Sequence, residues 1–233
     1  MIRCLLIILL GLPTLYANNY PVKLGDQTVI IHQEHHNKGK NFIHVHQNEK
    51  TALKAARKVI ESQGGSLMTL IHSGGRNIVF YLHHKRYEFD PNRIFTDRGI
   101  KKTLMKYGNY SSEAHRAVKK LATKIIALLP QGKLIAVHNN RSYSLKNYLP
   151  GKQLARDAHA LNYPAKRHHR NFFLVTKKKD YMRLKHLRLN SVLQRRHPTD
   201  DGSLSVYFSQ KNYINVEAGY DQLPQQIKML KKA

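Results

Sequence analysis

Short apolar runs alternate with segments of helical periodicity along most of this chain, and this alternation constrains its fold more than any other feature. Apolar residues recur at helical spacing in the segment 48–63 and again in the segment that follows Ser111 and Ser112, a pair of candidate helix caps. Strands are predicted for residues 41–46, 67–72, 78–83, 134–138, 172–175, 204–208 and 213–216, and further helices are predicted after Thr176, a candidate cap, and from Pro224. Strands that alternate with helices favour an α/β fold, so we predict a single domain with a mostly parallel or mixed sheet flanked by helices.

Residues 1–17 have the pattern of an export signal. Arg3 gives a positive start, residues 5–12 form an apolar core, and Ala17 stands at a suitable cleavage position. The core is much shorter than the ~20 residues that span a bilayer, so no membrane span is expected. We predict a signal peptide over 1–17, a mature domain over 18–233 and a periplasmic or secreted location.

The chain is strongly basic, because 40 lysines and arginines stand against 14 acids and give a formal net charge of +26. Such an excess attracts anions such as nucleic acid, anionic lipid or the acidic polymers of a cell envelope, but it defines no chemistry. The sequence contains no recognised nucleic-acid module, and an export signal takes a protein away from the cytoplasm. An anionic envelope polymer is therefore the better candidate partner, and nucleic acid is not expected.

The residues best suited to chemistry come at the ends of predicted strands. His46 and Glu49 form the only His-x-x-Glu pair in the chain, and zinc accepts imidazole nitrogen and carboxylate oxygen. His138 and Glu217 also end apolar runs, and sites in open α/β sheets form beyond the carboxyl ends of strands. A buried unpaired carboxylate is costly, so either a function or a buried ion pair is needed to explain Glu217.

Asn92 and Arg93 follow another strand-like run. An amide beside a guanidinium is well suited to hold a carboxylate, and Arg86 lies six residues before Asn92. The alternative is that Asp90 and Arg93 form an ordinary charge pair across a turn.

The order of these motifs resembles that of the zinc metallocarboxypeptidases related to carboxypeptidase A. From about residue 44 to residue 219, His-x-x-Glu is followed by Asp-x-Asn-Arg-x-Phe, a strand-end histidine and a strand-end glutamate. The resemblance implies a carboxypeptidase-like fold and one zinc ion. The ligands that it implies are His46, Glu49 and His138.

The same resemblance implies the other roles in the site. Asn92 and Arg93 would hold a substrate carboxylate, Glu217 would be the catalytic acid and base, and Arg86 would polarise the scissile carbonyl. Tyr207 is a candidate for the mobile tyrosine of the family or, alternatively, a core residue.

Some positions depart from the peptidase pattern. Asn139 and Asn140 stand where peptidases often have Ser-Tyr, and Pro91 replaces an aliphatic or small residue. Arg86-Tyr87 ahead of the Asn-Arg motif and an asparagine directly after His138 are similar to the aspartoacylase and desuccinylase branch. These departures bear on the substrate more than on the metal.

We therefore expect an exported zinc carboxypeptidase or amidase that hydrolyses an amide bond in small peptides. The short chain looks most like compact bacterial members that trim cell-wall peptides. Two alternatives stay open: a zinc deacylase acting on an acylated amino acid, and a non-catalytic basic protein that binds anionic envelope polymers or nucleic acid.

Overall fold

A computed structural model describes residues 15–164 and 168–233 of the chain. The described strands are β1 (Leu15–Leu24), β2 (Gln27–His36), β3 (Lys40–His44), β4 (Gly65–Ile71), β5 (Ile78–Leu82), β6 (Lys85–Phe89), β7 (Leu134–Asn140), β8 (Ala158–Asn162), β9 (Phe172–Val175), β10 (Ser191–Gln194) and β11 (Tyr213–Gly219). The described α-helices are α1 (Lys50–Gln63), α2 (Asp97–Tyr107), α3 (Ser112–Leu128), α4 (Lys178–His186), α5 (Leu204–Tyr207) and α6 (Leu223–Lys232).

Nine of these strands form one mixed sheet, in the order β1-β2-β4-β3-β7-β11-β9-β10-β8. The four central strands, β4, β3, β7 and β11, run parallel to one another. The flanking strands β2 and β9 run antiparallel to β4 and β11, respectively. The strands β5 and β6 form a separate antiparallel hairpin. This architecture confirms the prediction of a single α/β domain with a mixed sheet flanked by helices.

Helices cover both faces of the sheet. Alternate residues of the central strands point to opposite faces, and apolar residues are buried on each. Phe42 of β3 packs with the buried faces of α1, α4 and α6, whereas the next residue, Ile43, packs with α2, α3 and the hairpin. Helix α1 buries Ala52, Ala56 and Val59 completely at helical spacing. Burial of each large aliphatic side chain of these layers contributes about 1.5–3 kcal/mol.

Two local predictions are wrong. Residues 204–208 were expected to form a strand but contain α5, because the Ser203 hydroxyl accepts a hydrogen bond from the Val206 amide and begins a helical turn. Thr176 was expected to cap α4. Its hydroxyl instead donates to the carbonyl of Lys211, and the helix begins two residues later without a side-chain cap.

The N-terminal strand β1 includes the end of the predicted signal peptide. Ala17 pairs with Glu34 of β2, and residues 1–14 lie outside the described residues. The signal peptide therefore stays a prediction. In the part of the chain that the structure describes, no helix has the length and apolar character needed to cross a membrane.

Candidate metal centre and active site

His46 and Glu49 are brought together by a tight turn between β3 and α1. The strand ends at His44, and the carbonyl of His46 accepts a hydrogen bond of 2.9 Å from the amide of Glu49. Glu49 is the N-cap residue of α1 but makes no side-chain cap bond. Its carboxylate points instead to His46, with Oε1 3.0 Å from Nδ1.

His138 reaches the same point from β7. Its Nδ1 atom lies 3.2 Å from Nδ1 of His46 and 3.1 Å from Oε2 of Glu49, and all three side chains are buried. Tetrahedral zinc, with bonds of about 2.0–2.1 Å, places two donor atoms about 3.3 Å apart. The separations therefore fit one ion. These three buried residues, the metal group, can hold a metal ion.

The other ring nitrogen of His46 is bound by Asp90, which follows β6. Nε2 of His46 lies 2.7 Å from Oδ1 of Asp90, so the ring is oriented with Nδ1 towards Glu49 and His138. Burial alone would lower the pKa of His46, but the negative charges of Glu49 and Asp90 raise it to about 9. A carboxylate behind a ligating histidine is the usual support of a metal site. The alternative of a turn pair between Asp90 and Arg93 is not what the contacts show.

The buried side-chain amides of Asn139 and Gln226 support His138 and Glu49. The backbone amide of Asn139 donates to Oε2 of Glu49 at 3.0 Å, and the Asn139 side-chain oxygen accepts from the amide of Ala52 in the first turn of α1. The Asn139 side-chain nitrogen donates to Gln226 of α6, which donates in turn to the carbonyl of His138 at 2.9 Å. Helix α6 thus fixes the metal group from behind.

Glu217 lies directly beside the metal group, because it is the register partner of His138 on the parallel strand β11. Its two oxygens accept hydrogen bonds of 3.0 Å from the side-chain amides of Asn140 and Asn215. Burial raises the pKa of Glu217, while His138 and the two amides act in the opposite direction. No lysine or arginine lies within salt-bridge distance of Glu217 among the described residues, so the idea of a buried ion pair has no support here.

Asn92 and Arg93 sit in a short 3-10 turn, Pro91–Arg93, that Asp90 caps through the amide of Asn92. Both residues line the same cavity as the metal group and Glu217. The side-chain oxygen of Asn92 accepts from the amide of Leu204 at 3.2 Å, and Nη1 of Arg93 lies 3.5 Å from Oδ2 of Asp201. The residues expected to hold a carboxylate are therefore placed where they can reach a ligand of the cavity.

The structure does not bring Arg86 to this cavity. Arg86 lies on β6 of the hairpin, pairs with Glu88 and is absent from the cavity lining. Arg76 lines the cavity instead and contacts the metal group, with Nη1 2.5 Å from Oε1 of Glu49 and Nη2 3.6 Å from Oδ2 of Asp90. Arg76, and not Arg86, is therefore the arginine that contacts Glu49 and Asp90.

Arg76 was missed because it belongs to the loop between β4 and β5, which has no periodicity. The side-chain oxygen of Gln47 accepts hydrogen bonds from the backbone amides of His72, at 2.7 Å, and Gly74, at 3.0 Å. These bonds hold the loop against the turn that contains His46. The available signal was the Gly74-Gly75 turn directly before a lone arginine.

The cavity has a volume of about 810 Å³ and a largely polar lining. Tyr207 is not part of it, since its ring packs against Phe95 and Phe208. The tyrosines that line the cavity are Tyr143, Tyr148, Tyr213 and Tyr220, and the guanidinium of Arg141 lies 5.0 Å from the ring centre of Tyr220. Comparison with known proteins finds no matching family model, no matching curated protein and no matching solved structure.

Proposed function

We propose that this protein is an exported zinc-dependent carboxypeptidase or amidase that hydrolyses an amide bond in small peptides with a free carboxylate. The observation that carries the proposal is the convergence of His46, Glu49 and His138, with Glu217 in register beside His138 in the same cavity. Two histidines and one glutamate are a donor set that catalytic zinc commonly uses. The proposal also agrees with the motif order of the metallocarboxypeptidases.

The metal would be held by Nδ1 of His46, Nδ1 of His138 and the carboxylate of Glu49. Bound zinc would supply a Lewis acid that polarises the carbonyl and lowers the pKa of water. Asp90 keeps the His46 ring in the orientation that presents Nδ1, and Gln226 fixes the backbone of His138.

The protein's own residues would move the proton. Glu217 accepts a proton from the attacking water, whose oxygen bonds to the carbonyl carbon, and then delivers that proton to the leaving nitrogen as the carbon–nitrogen bond breaks. Arg76 donates hydrogen bonds to the carbonyl oxygen as negative charge develops there. Burial supports the exchange, because it already raises the pKa of Glu217.

Arg93 and Asn92 would bind the free carboxylate of the substrate. A guanidinium beside an amide matches the geometry of a carboxylate, and both side chains line the cavity that contains Glu217. The zinc deacylase is the second candidate, since the asparagine after His138 is similar to that branch. The two enzymes differ in the leaving group and in what Asn92 and Arg93 hold.

The test begins with metal content and then compares a peptide that has a free C-terminal carboxylate with its C-terminal amide. We expect about one zinc per chain and hydrolysis of the free-carboxylate peptide only, with the Arg93→Ala variant retaining zinc but losing this selectivity. Equal turnover of both peptides by the unmutated protein would favour an internal amidase. A protein without bound metal or hydrolysis would instead fit the non-catalytic basic binder that the net charge of +26 suggests.

A further inference from the structure

A second groove, separate from the cavity of the metal group, lies along the exposed side of α1. It has a volume of about 740 Å³, and it is called the lysine groove below. Four cations and one acid contribute to it, and the acid, Glu61, makes no salt bridge among the described residues. The lining residues are Gln47, Lys50, Leu53, Lys54, Arg57, Lys58, Glu61 and Gly74. The lysine groove is therefore positively charged.

Three of the cations form a regular row. Lys50, Lys54 and Lys58 are four residues apart, so their side chains leave one face of α1 at intervals of about 6 Å along the helix axis. All three are exposed, and none makes a salt bridge or a side-chain hydrogen bond within the described parts of the chain. Arg57 differs, because its guanidinium donates to both oxygens of Glu34. The row of three lysines thus remains available to an anion from outside.

The lysine groove adjoins the cavity of the metal group. Gln47 and Gly74 line the groove, and the amide of Gly74 donates to the side-chain oxygen of Gln47 at 3.0 Å. Asn48, the residue after Gln47, lines the cavity, and so does Arg76, two residues after Gly74. The turn before α1 and the loop before β5 therefore border both spaces, and a chain bound in the groove lies beside the cavity.

The lining also indicates which kind of anion fits. Lysine binds phosphate as a point charge, and a regular row of lysines suits a chain whose negative charges repeat. Proteins that bind single-stranded nucleic acid stack the bases on aromatic side chains, and the described lining of the lysine groove contains no aromatic residue. A flexible phosphodiester chain without bases is therefore the better match.

We propose that the lysine groove binds a linear phosphodiester polymer of the cell envelope through Lys50, Lys54 and Lys58. Binding holds the protein on the polymer with the cavity of the metal group beside it. The inference goes beyond the proposed hydrolysis and does not depend on it, because none of the three lysines lines the cavity of the metal group.

The experiment measures binding of fluorescently labelled poly(glycerol phosphate) to the purified protein at several salt concentrations. The test variant combines Lys50→Gln, Lys54→Gln and Lys58→Gln, and glutamine at exposed helix positions should leave the fold intact. We expect its affinity to be at least ~10-fold lower at ~0.1 M salt. The plot of log affinity against log salt concentration should become shallower by about 2, since each phosphate contact on a single chain contributes roughly 0.7 to the slope.

The matched control combines Arg116→Gln, Lys120→Gln and Lys124→Gln in α3. These residues are exposed and have the same spacing, and α3 packs on the opposite face of the sheet from α1. The control loses the same charge but should keep its affinity within about twofold, because salt screens charges that are far from the bound chain. Equal losses in the two variants, or no loss in either, would overturn the assignment of the site to the lysine groove.

A single-stranded oligonucleotide with the same number of phosphates tests the choice of partner. It should bind more weakly than poly(glycerol phosphate). Oligonucleotide binding that is as tight or tighter, and that the three lysine changes weaken, would overturn the envelope polymer in favour of nucleic acid. Absence of polymer binding overturns the proposal and leaves the proposed hydrolysis standing, whereas absence of hydrolysis has no bearing on the binding result.

Discussion

Nε2 of His46 lies 2.7 Å from Oδ1 of Asp90, and both side chains are buried. The motif Asp-x-Asn-Arg therefore supports the metal group through its aspartate and lines the cavity through its asparagine and arginine. The short segment after β6 therefore contacts the metal group and also contributes to the part of the cavity proposed to bind the substrate.

Asp90→Asn should weaken metal binding by about 10–100-fold, the usual effect of losing a carboxylate behind a ligating histidine. Asparagine retains an oxygen for the amide of Asn92, so the 3-10 turn should survive. Competition with a chelator measures the affinity for zinc. Asp97→Asn, a change of an exposed aspartate in α2, is the control. Equal affinities for the two variants would contradict the role of Asp90.

Gln226→Leu should destabilise the protein by about 2–4 kcal/mol, because it removes the buried hydrogen bonds to the carbonyl of His138 and from the side-chain amide of Asn139. Urea unfolding measures the free energy. The neighbouring Gln225 is exposed, and its change to leucine should alter stability by no more than about 0.5 kcal/mol. Similar losses in both variants would mean that the buried amide pair is not what stabilises this region.

The convergence of His46, Glu49, His138 and Glu217 could be predicted because all four lie near the carboxyl ends of strands in the central parallel group. His46 and Glu49 follow β3, and His138 and Glu217 lie in the last three residues of β7 and β11, so their side chains meet at one edge of the sheet. The positions of Arg76 and Asp201 could not be predicted, because they depend on contacts between residues that are far apart in the sequence. Gln47 positions the loop of Arg76, and the approach of Gly202 to Gly99 positions Asp201.

The strand β2 shows a different limit of sequence analysis. Val29, Ile31 and Gln33 all point inwards, but the glutamine breaks the apolar alternation that would have indicated a strand. Gln33 is tolerated inside because its side-chain nitrogen donates to the carbonyl of Leu128 at the end of α3. Such a partner is visible only in the folded chain.

Lys40 should contribute to the pH dependence of the free energy of unfolding. Burial, followed by the charges of Arg183, Lys133 and Lys232, lowers the pKa of Lys40 from 10.5 to about 8. Between these two values the unfolded chain binds the additional proton, so this residue makes the folded state more stable as the pH rises from 8 to 10.5.

Lys40→Met should remove the contribution of Lys40 to this increase in stability with pH. Chemical unfolding at pH 7.0 and pH 9.5 gives the change in free energy for each protein, and the increase should be smaller in the variant than in the unmutated chain. Lys228→Met, at an exposed position of α6, should leave the increase intact. An identical pH response of all three proteins would refute the effect.

Arg76→Ala should lower kcat by ~10²-fold or more, the scale expected for a lost donor to a developing oxyanion. The matched variant is Arg86→Ala, which removes a guanidinium that pairs with Glu88 outside the cavity. It should keep kcat within about twofold. Steady-state hydrolysis of a free-carboxylate peptide measures both, and the reverse ranking would restore Arg86 to the site.

Glu217→Gln should lower turnover by ~10²-fold or more, the usual scale of lost proton transfer, while zinc content stays unchanged because Glu217 is not a ligand. The fold should tolerate the change, since the Asn215 side chain can rotate to offer its unpaired oxygen to the new amide. Burial raises the pKa of Glu217, so a neutral side chain should not lower the melting temperature. Zinc content, melting temperature and hydrolysis are measured on one preparation. Undiminished hydrolysis removes Glu217 from the mechanism, and a lower melting temperature with a proportionate loss of activity makes it structural.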